Sequence, residues 1–201
     1  MSADPELILE VVEPGHGIAL DLGGRNGELR APLRHLGYSY VNMDICPCKN
    51  GEPSLIGDAH CLPFRDRSFE LVLSKDTLEH FLNPWTVVHE VHRILKDGGQ
   101  FVIWVPFMHP FHGDDFYRYS PLGLRRLLGD FEIITFESPL WAFTIVGLAA
   151  AELLKRLRLG FAQGPIKRSC SWLDRFFTRR QRHPASFAAA YRIVACKKNR
   201  I

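Results

Sequence analysis

The stretch Ile18-Ala-Leu-Asp-Leu-Gly-Gly-Arg-Asn-Gly27 decides the fold class of this chain. A short apolar run that contains one acid, Asp21, ends in a glycine-rich turn, which is typical of a buried strand followed by a loop. Glycines in such a turn adopt backbone angles that other residues avoid, and they let backbone N–H groups approach a ligand. The residues that we assign to this role are Gly23, Gly24 and Gly27.

A second acid supports a ligand-binding role for this turn. Asp44 lies 23 residues after Asp21, at the end of the apolar run from Tyr38 to Met43. An acid about 20 residues beyond a glycine loop is placed to bind ribose hydroxyls at the carboxyl edge of a parallel sheet. We therefore predict that the chain binds a nucleoside-containing cofactor.

The charge and spacing of the turn indicate which cofactor this is. The dinucleotide pattern G-x-G-x-x-G is not met, because Arg25 and Glu28 stand where it requires glycine. An acid on the first strand, Asp21, is a poor neighbour for a pyrophosphate but suits a sulfonium or ammonium charge. S-adenosylmethionine carries both of these charges and a ribose, so the pattern favours it over a nicotinamide dinucleotide.

The turn resembles motif I of the class I S-adenosylmethionine-dependent methyltransferases, Asp/Glu-x-Gly-x-Gly-x-Gly. Asp21, Gly23 and Gly27 match the motif, and Arg25 replaces its middle glycine. Later segments follow in the family's order, and the resemblance, over about residues 15–137, is to the methyltransferase type 11 group. These segments are Gly57-Asp58-Ala59, the stretch 63–72, Ser74 through Leu78-Glu79-His80, and Leu95-Lys96-Asp97-Gly98-Gly99.

The resemblance implies a fold, an activity and a set of cofactor-binding residues. The fold is α/β, a Rossmann-like seven-stranded, mostly parallel sheet with helices on both faces. The activity is methyl transfer from S-adenosylmethionine to a small-molecule, glycan or lipid-linked acceptor, by in-line attack on the sulfonium methyl. The residues placed at the cofactor are Asp21, Gly23, Gly24 and Gly27 at the methionine end, Asp44 at the ribose, Asp58 and Ala59 at the adenine, and Ile45 and Ser74 nearby.

Hydrophobic periodicity predicts alternating strands and helices within a single domain over residues 1–201. The apolar runs place strands near 17–22, 38–43, 53–57, 69–74, 100–105, 131–137 and 188–196. Helical patterns cover 28–36, 84–96 and 121–128. His89, His92 and Arg93 fall off the apolar stripe of the second helix, so we expect them to be solvated. A helical insertion at about 139–187 separates strands six and seven.

The segment that follows strand five combines the side chains expected of an acceptor pocket. We predict acceptor contacts from Asp114, Tyr117 and Arg118. Three histidines, His80, His109 and His112, are candidates for a general base, since an imidazole titrates near neutral pH. The alternatives are ordinary loop structure, packing beneath the cofactor for His80, and a metal held by His109, His112 and Asp114; we predict no metal site.

Positive charge is concentrated in the last quarter of the chain. Residues 152–201 carry 13 Lys and Arg against two Asp and Glu, whereas residues 1–151 carry 12 against 20. Two segments, 140–148 and 171–180, are rich in apolar and aromatic residues beside basic ones. Residues 139–182 therefore either bind an anionic membrane surface or form a helical cap with a solvated basic face. No nucleic-acid-binding module is recognisable, so nucleic acid is not the predicted partner.

Composition is that of a globular protein, with 46% hydrophobic and 23% charged residues. The five cysteines are an odd number without the spacing of a disulfide framework, which favours reduced thiols in the cytoplasm. No signal peptide is recognised, and the apolar, uncharged stretch of residues 138–151 is too short to span a bilayer. We expect a cytoplasmic protein, peripheral to the inner membrane face if the insertion binds lipid. The alternative function is a non-catalytic methyltransferase-like scaffold at that membrane.

Overall fold

The computed structural model describes residues 6–111, 113–178 and 187–198. Its strands are β1 (Ile18–Leu22), β2 (Ser39–Asp44), β3 (Leu55–Ile56), β4 (Phe69–Lys75), β5 (Leu95–Pro106), β6 (Phe131–Leu140) and β7 (Ala190–Lys197). Its α-helices are α1 (Glu6–Leu9), α2 (Arg30–His35), α3 (Pro84–Ile94), α4 (Pro121–Leu127), α5 (Ala142–Arg156) and α6 (Gln163–Thr178). Short 3-10 helices cover Leu78–His80 and Gly160–Ala162.

The seven strands form one sheet in the order β3-β2-β1-β4-β5-β7-β6. The five neighbouring strands from β3 to β5 in this order are all parallel. Strand β7 runs antiparallel to both β5 and β6. Strand order reverses between β1 and β4, and ligands of open α/β sheets bind beyond the carboxyl ends of the strands at such a point. The predicted mostly parallel, seven-stranded sheet is confirmed.

Helices cover both faces of the sheet, as predicted. Alternate residues of each central strand point to opposite faces, so Leu20 and Ala19 of β1 lie in two separate apolar clusters. The cluster around Leu20 includes side chains from α3 and α4, and the cluster around Ala19 includes side chains from α1 and α2. Burial on both sides explains why the central strands read as continuous apolar runs.

Helix α3 begins as predicted and ends two residues early. The side chain of Asn83 accepts a hydrogen bond from the Thr86 N–H, and Pro84 occupies the first turn. The helix stops at Ile94 because Leu95 already pairs with Phe69 as the first residue of β5. The glycine pair 98–99 therefore lies inside β5, where the pairing with β4 shifts register.

The prediction that Arg93 is solvated is wrong. Its guanidinium donates hydrogen bonds to the carbonyls of Leu62 and Phe64 at 2.9 and 2.8 Å, and to the Asp66 carboxylate at 2.7 Å. Glu90, one turn earlier, pairs with Arg93 and accepts from the Leu62 N–H at 2.9 Å. Together Glu90 and Arg93 hold the loop that leads into β4.

The insertion forms two helices joined by a short connection, α5 and α6. The Asp174 carboxylate of α6 is buried and accepts from the N–H groups of Trp141, Phe143 and Thr144 at 2.7–3.1 Å. It thereby satisfies N–H groups at the start of α5 that lack partners within that helix. Farther along, a β-carbon at Gly147 would lie 2.8 Å from the Cys170 β-carbon, so the two helices are in close, antiparallel contact.

Across the described ranges 6–111, 113–178 and 187–198, none of the helices combines the length and the apolar character needed to cross a bilayer.

Candidate active site

The turn after β1 requires glycine for two physical reasons. Gly23 and Gly27 have φ angles of +78° and +72°, a region that favours glycine. Gly24 is restricted by space instead, because a β-carbon at this position would overlap the side chains of Asp21 and Asn42. The side chains of Asp21 on β1 and Asn42 on β2 therefore pack directly against the turn at Gly24.

Strand β2 also holds the turn through hydrogen bonds. Asn42 donates to the Arg25 carbonyl at 3.0 Å, and the Arg25 N–H donates to Asp44 Oδ2 at 3.0 Å. The other Asp44 oxygen, Oδ1, accepts from the Cys46 N–H at 2.9 Å. Arg25 occupies the position of the motif's middle glycine with a φ of +42°, and the residue is exposed.

Asp21 places a buried carboxyl group beneath the turn. It is 2% exposed and accepts a 2.6 Å hydrogen bond from the Tyr40 hydroxyl. Burial raises the pKa of Asp21 to about 6, while the Tyr40 hydrogen bond and the nearby charge of Lys75 partly oppose this rise. Above this pH the carboxyl group of Asp21 is an anion that is shielded from water.

Asp58 follows β3 and is held by His60. The His60 N–H and ring nitrogen Nδ1 lie 2.9 and 2.6 Å from Asp58 Oδ1, and these hydrogen bonds hold the pKa of Asp58 below its ordinary value. His60 Nε2 accepts from the Asn83 N–H at 3.1 Å. His60 therefore links the Asp58 turn to the start of α3, a role that the sequence reasoning missed.

The other predicted cofactor residues lie at the ends of neighbouring strands. Ile45 follows β2 and is 71% exposed, while Ala59 beside Asp58 is buried. Ser74, near the end of β4, is fully buried. Its hydroxyl makes no hydrogen bond within residues 6–111, 113–178 and 187–198.

The segment after β4 meets the segment after β5. His80 Nδ1 lies 3.1 Å from Asp115 Oδ1 and 3.2 Å from the Asp114 carbonyl oxygen. The N–H of Phe116 donates to the Glu79 carbonyl at 2.9 Å, which joins the two segments through their backbones. Residues singled out separately in the sequence thus form one cluster.

The carboxylate that faces His80 Nδ1 is that of Asp115, whereas the sequence reasoning selected Asp114. The Asp115 side chain is 1% exposed and pairs through Oδ2 with Arg118 at 2.6 Å. Asp114 is exposed and contributes its carbonyl oxygen to His80. Arg118 also lies over the ring of Phe111, 4.9 Å from its centroid. Neighbouring acids in a loop are indistinguishable by pattern, since burial depends on the path of the loop.

The predicted acceptor contact Tyr117 is engaged within the protein. Its hydroxyl donates to the Leu82 carbonyl at 3.0 Å, and its ring stacks on Tyr119. The Tyr119 hydroxyl in turn donates to the Leu78 carbonyl at 2.9 Å. These two tyrosines fasten the segment after β5 to the segment after β4.

The two remaining general-base candidates are His109 and His112. The Nδ1 atom of His109 lies 2.9 Å from the carbonyl oxygen of the adjacent Pro110. His112 lies outside the described residues. A different set, Glu79, His80 and Asp115, brings its ligand atoms within 4.8 Å of one another. Because Asp115 also pairs with Arg118, we interpret this set as an ion-pair network, and the prediction of no metal stays a prediction.

Two further residues near Asp21, Tyr40 and Lys75, were not predicted. Tyr40 lies on β2 two residues before Asn42, on the same side of the strand. Lys75 ends β4, and its ammonium lies 3.0 Å from the Asp76 carboxylate. Alternation along β2 could have identified Tyr40, but the proximity of Lys75 depends on the pairing of β1 with β4.

Comparison with known proteins agrees with this architecture. The family profile described as a methyltransferase domain matches residues 20–103. An uncharacterized methyltransferase of Mycobacterium sp. (strain KMS) is 30% identical over 125 residues, which cover 58% of this chain and 47% of the relative. The chain thus spans about half the length of the curated relatives it matches.

Solved structures share the fold at low sequence identity. Phospholethanolamine N-methyltransferase 2 of Haemonchus contortus, in complex with phosphomonomethylethanolamine and S-adenosylhomocysteine, is 15% identical with a TM-score of 0.64, over 99% of this chain and 54% of that one. The [4+2]-cyclase SpnF is 18% identical with a TM-score of 0.63, over 96% of this chain and 79% of the other. The fold is thus compatible with more than one chemistry.

The sheet order, the glycine turn with its two acids and the match over residues 20–103 agree with one another. Residues 20–103 therefore match the methyltransferase domain family, and the described residues have the Rossmann-like α/β fold of solved methyltransferases.

Proposed function

We propose that this protein binds S-adenosylmethionine and transfers its methyl group to a small-molecule, glycan or lipid-linked acceptor. The observation that carries the proposal is the pair of carboxylates, Asp21 and Asp44, on adjacent strands β1 and β2 around the glycine turn. Asp21 supplies buried negative charge beneath the turn, and Asp44 is in direct hydrogen-bond contact with its backbone.

The donors and acceptors around the turn fit this cofactor. Each oxygen of Asp44 accepts one backbone hydrogen bond, and a carboxylate oxygen has capacity for two, so a ribose hydroxyl can be added. Both hydrogen bonds to Asp58 reach Oδ1, which leaves Oδ2 for the adenine amino group. The buried hydroxyl of Ser74 adds a further group that a ligand can satisfy.

When bound, S-adenosylmethionine supplies an electrophilic methyl group on a sulfonium centre, which the acceptor attacks in line. The protein's own contribution is to orient both partners and to exclude water. The anionic Asp21 favours a cationic ligand above pH 6, because burial strengthens the attraction between opposite charges.

His80 is the group that we assign to remove a proton from the acceptor. Two oxygens face His80 Nδ1, those of Asp115 and the Asp114 backbone, so we assign the ring hydrogen to Nδ1. Nε2 is then the proton-accepting nitrogen. The Asp115 carboxylate orients the ring and stabilises the positive charge that forms on it. The carboxyl group of Glu79 lies 3.9 Å from Nε2.

Calorimetric titration with S-adenosylmethionine and S-adenosylhomocysteine tests the cofactor assignment. We expect micromolar binding of both compounds, and we expect Asp44→Ala to weaken it about tenfold or more. Asp66→Ala is a matched control, because Asp66 is an exposed acid held by Arg93 outside the turn. Absence of binding to either compound contradicts the proposal and favours the non-catalytic scaffold.

A methyl-transfer assay over small amines, alcohols, glycans and glycolipids tests the assignment of His80. With an acceptor that must lose a proton, His80→Gln is expected to lower kcat about a hundredfold with KM little changed. Asp115→Asn, which affects a positioning residue, is expected to lower kcat by a smaller factor, again with little effect on KM. His89→Gln serves as the control, since His89 is exposed on α3. Unchanged kcat in His80→Gln rules out this role.

A further inference from the structure

The α5–α6 insertion exposes an apolar and aromatic surface that the rest of the described chain leaves uncovered. Three apolar residues recur at helical spacing and are 58–63% exposed: Val146 and Leu153 of α5, and Leu157 directly after it. Their spacing of seven and four residues places them along one side of the helix. Apolar side chains in such a row are unusual on a free surface, because soluble faces of helices are polar.

A second row lies on α6. Arg168, Trp172 and Phe176 are each four residues apart, so they follow one side of the helix, and all three are exposed. The rings of Trp172 and Phe176 stack with centroids 5.9 Å apart, and Phe176 packs edge-on against Phe177. Phe177 in turn stacks on Phe143 of α5, so contacting rings bridge the two helices.

The connection between the helices continues this surface. Leu159 and Phe161 are 42% and 83% exposed, with Arg158 beside them. Lys155 and Arg156 end α5, and Lys167 and Arg168 lie in α6. The single acid exposed on the described part of this insertion, Glu152, lies 3.9 Å from Arg156. The surface therefore combines uncovered apolar groups with an excess of positive charge.

The inner side of the insertion is already occupied. Asp174 is buried against the start of α5, and Gly147 permits close contact with Cys170. The exposed rings therefore lie on the outer side of the helical pair, away from the contact between α5 and α6. A fixed helical pair with an apolar, aromatic outer side and flanking cations fits the boundary between lipid headgroups and acyl chains.

We infer that α5 and α6 form a binding surface for an anionic phospholipid membrane, with Trp172, Phe176, Leu153 and Leu157 entering the interface and the flanking lysines and arginines contacting headgroups. Exposed tryptophan is enriched at this depth of a bilayer. Each Lys or Arg near an anionic surface adds about fivefold to the partition coefficient. The inference does not rest on methyl transfer, and its test measures binding alone.

Co-sedimentation of the full chain with vesicles tests the inference. Binding is expected to vesicles of phosphatidylcholine mixed with phosphatidylglycerol, and to decrease with added salt. Vesicles of phosphatidylcholine alone are expected to bind at least about tenfold more weakly. Equal binding to both compositions, or no binding to either, overturns the inference.

Paired variants separate the two contributions. Trp172→Ser with Phe176→Ser removes apolar contact, and Lys167→Gln with Arg168→Gln removes charge; each pair is expected to weaken binding about tenfold or more. Leu122→Ser, which removes a 78% exposed leucine on α4, is the apolar control. Arg34→Gln with Arg65→Gln, two exposed arginines outside the insertion, is the charge control. Controls that weaken binding as strongly as the test pairs contradict the assigned surface.

Light scattering on the same proteins distinguishes a membrane surface from a surface between two copies of the chain. The inference requires that Trp172→Ser with Phe176→Ser leave the molar mass unchanged. A wild-type dimer that this pair converts to a monomer, together with weak vesicle binding, would assign the surface to self-association and overturn the inference. Circular dichroism of each variant verifies that α5 and α6 remain folded.

Discussion

The hydroxyl of Tyr40 donates a 2.6 Å hydrogen bond to the buried carboxylate of Asp21, across the parallel strands β2 and β1. Arg30 lies over the Tyr40 ring, 5.0 Å from its centroid. Burial and the Asp21 charge hold the pKa of Tyr40 above its ordinary value, so this hydroxyl remains a donor. Burial raises the pKa of Asp21, and this hydrogen bond is the largest of the effects that oppose the rise.

Replacing Asp21 with asparagine is expected to stabilise the ligand-free protein at neutral and alkaline pH. The pKa of Asp21 is raised to about 6 in the fold, so its favourable contribution is complete below about pH 4 and is lost as the pH rises through 6. A rise of about two pKa units corresponds to roughly 2–3 kcal/mol. Urea denaturation at about pH 5 and pH 8 measures the change, since the difference between the two proteins cancels other titrating groups.

Asp21→Asn is expected to lose cofactor affinity even as it gains stability, since it removes the charge beneath the turn. A variant that is destabilised at both pH values would show that Asp21 acts through packing instead. Asp130→Asn, at an exposed acid before β6, is the control and should leave both quantities unchanged.

Replacing Tyr40 with phenylalanine is expected to raise the pKa of Asp21 further, because the hydrogen bond that lowers it is lost. Acidification is expected to weaken the binding of S-adenosylmethionine by protonating Asp21. In the Tyr40→Phe variant this loss of affinity should occur at a higher pH than in the wild-type protein. Calorimetry from about pH 5 to pH 8 gives the midpoints. Tyr38→Phe removes a hydroxyl that donates to the Glu13 carbonyl, so it should leave the midpoint in place.

Replacing Gly24 with alanine is expected to abolish cofactor binding and to destabilise the fold, because the added β-carbon overlaps Asp21 and Asn42. The cost of such overpacking is about 1–3 kcal/mol. Gly164→Ala provides the contrast, since a β-carbon there meets nothing within 4 Å on α6. That change should be neutral or stabilise the protein by about 0.5–1 kcal/mol. Thermal denaturation compares the two, and equal melting temperatures would argue against the close contact.

Replacing Arg93 with methionine is expected to destabilise the protein by about 2–3 kcal/mol, because three acceptors on the loop before β4 lose a charged donor. Hydrogen exchange should show faster exchange at the Leu62 and Phe64 amides. Arg34→Met, at an exposed position on α2, should change stability by less than about 0.5 kcal/mol. Unaltered exchange in this loop would mean that Glu90 alone holds it.

The local pattern of the sequence was sufficient for the α/β class and for the approximate position of each element. Apolar runs, the glycine turn and the capped start of α3 are set by neighbours in the chain, so most element bounds could be predicted from them to within a few residues. The order of the strands in the sheet depends on tertiary pairing. The end of α3 could not be predicted either, because it depends on Leu95 pairing with Phe69 across the sheet.

Some features of the candidate site could likewise be predicted from local sequence, whereas others depend on tertiary contacts. Asp21, Asp44 and the glycines were found by spacing, since the ends of adjacent parallel strands meet at one edge. The tertiary structure decided that His80 contacts Asp115, that Arg93 holds the loop before β4, and that Trp172 remains exposed after the helices pack. Each of these outcomes depends on which distant segments meet. Residue type and spacing determined the strand ends where a ligand can bind, and only long-range packing determined the burial and partners of the side chains around them.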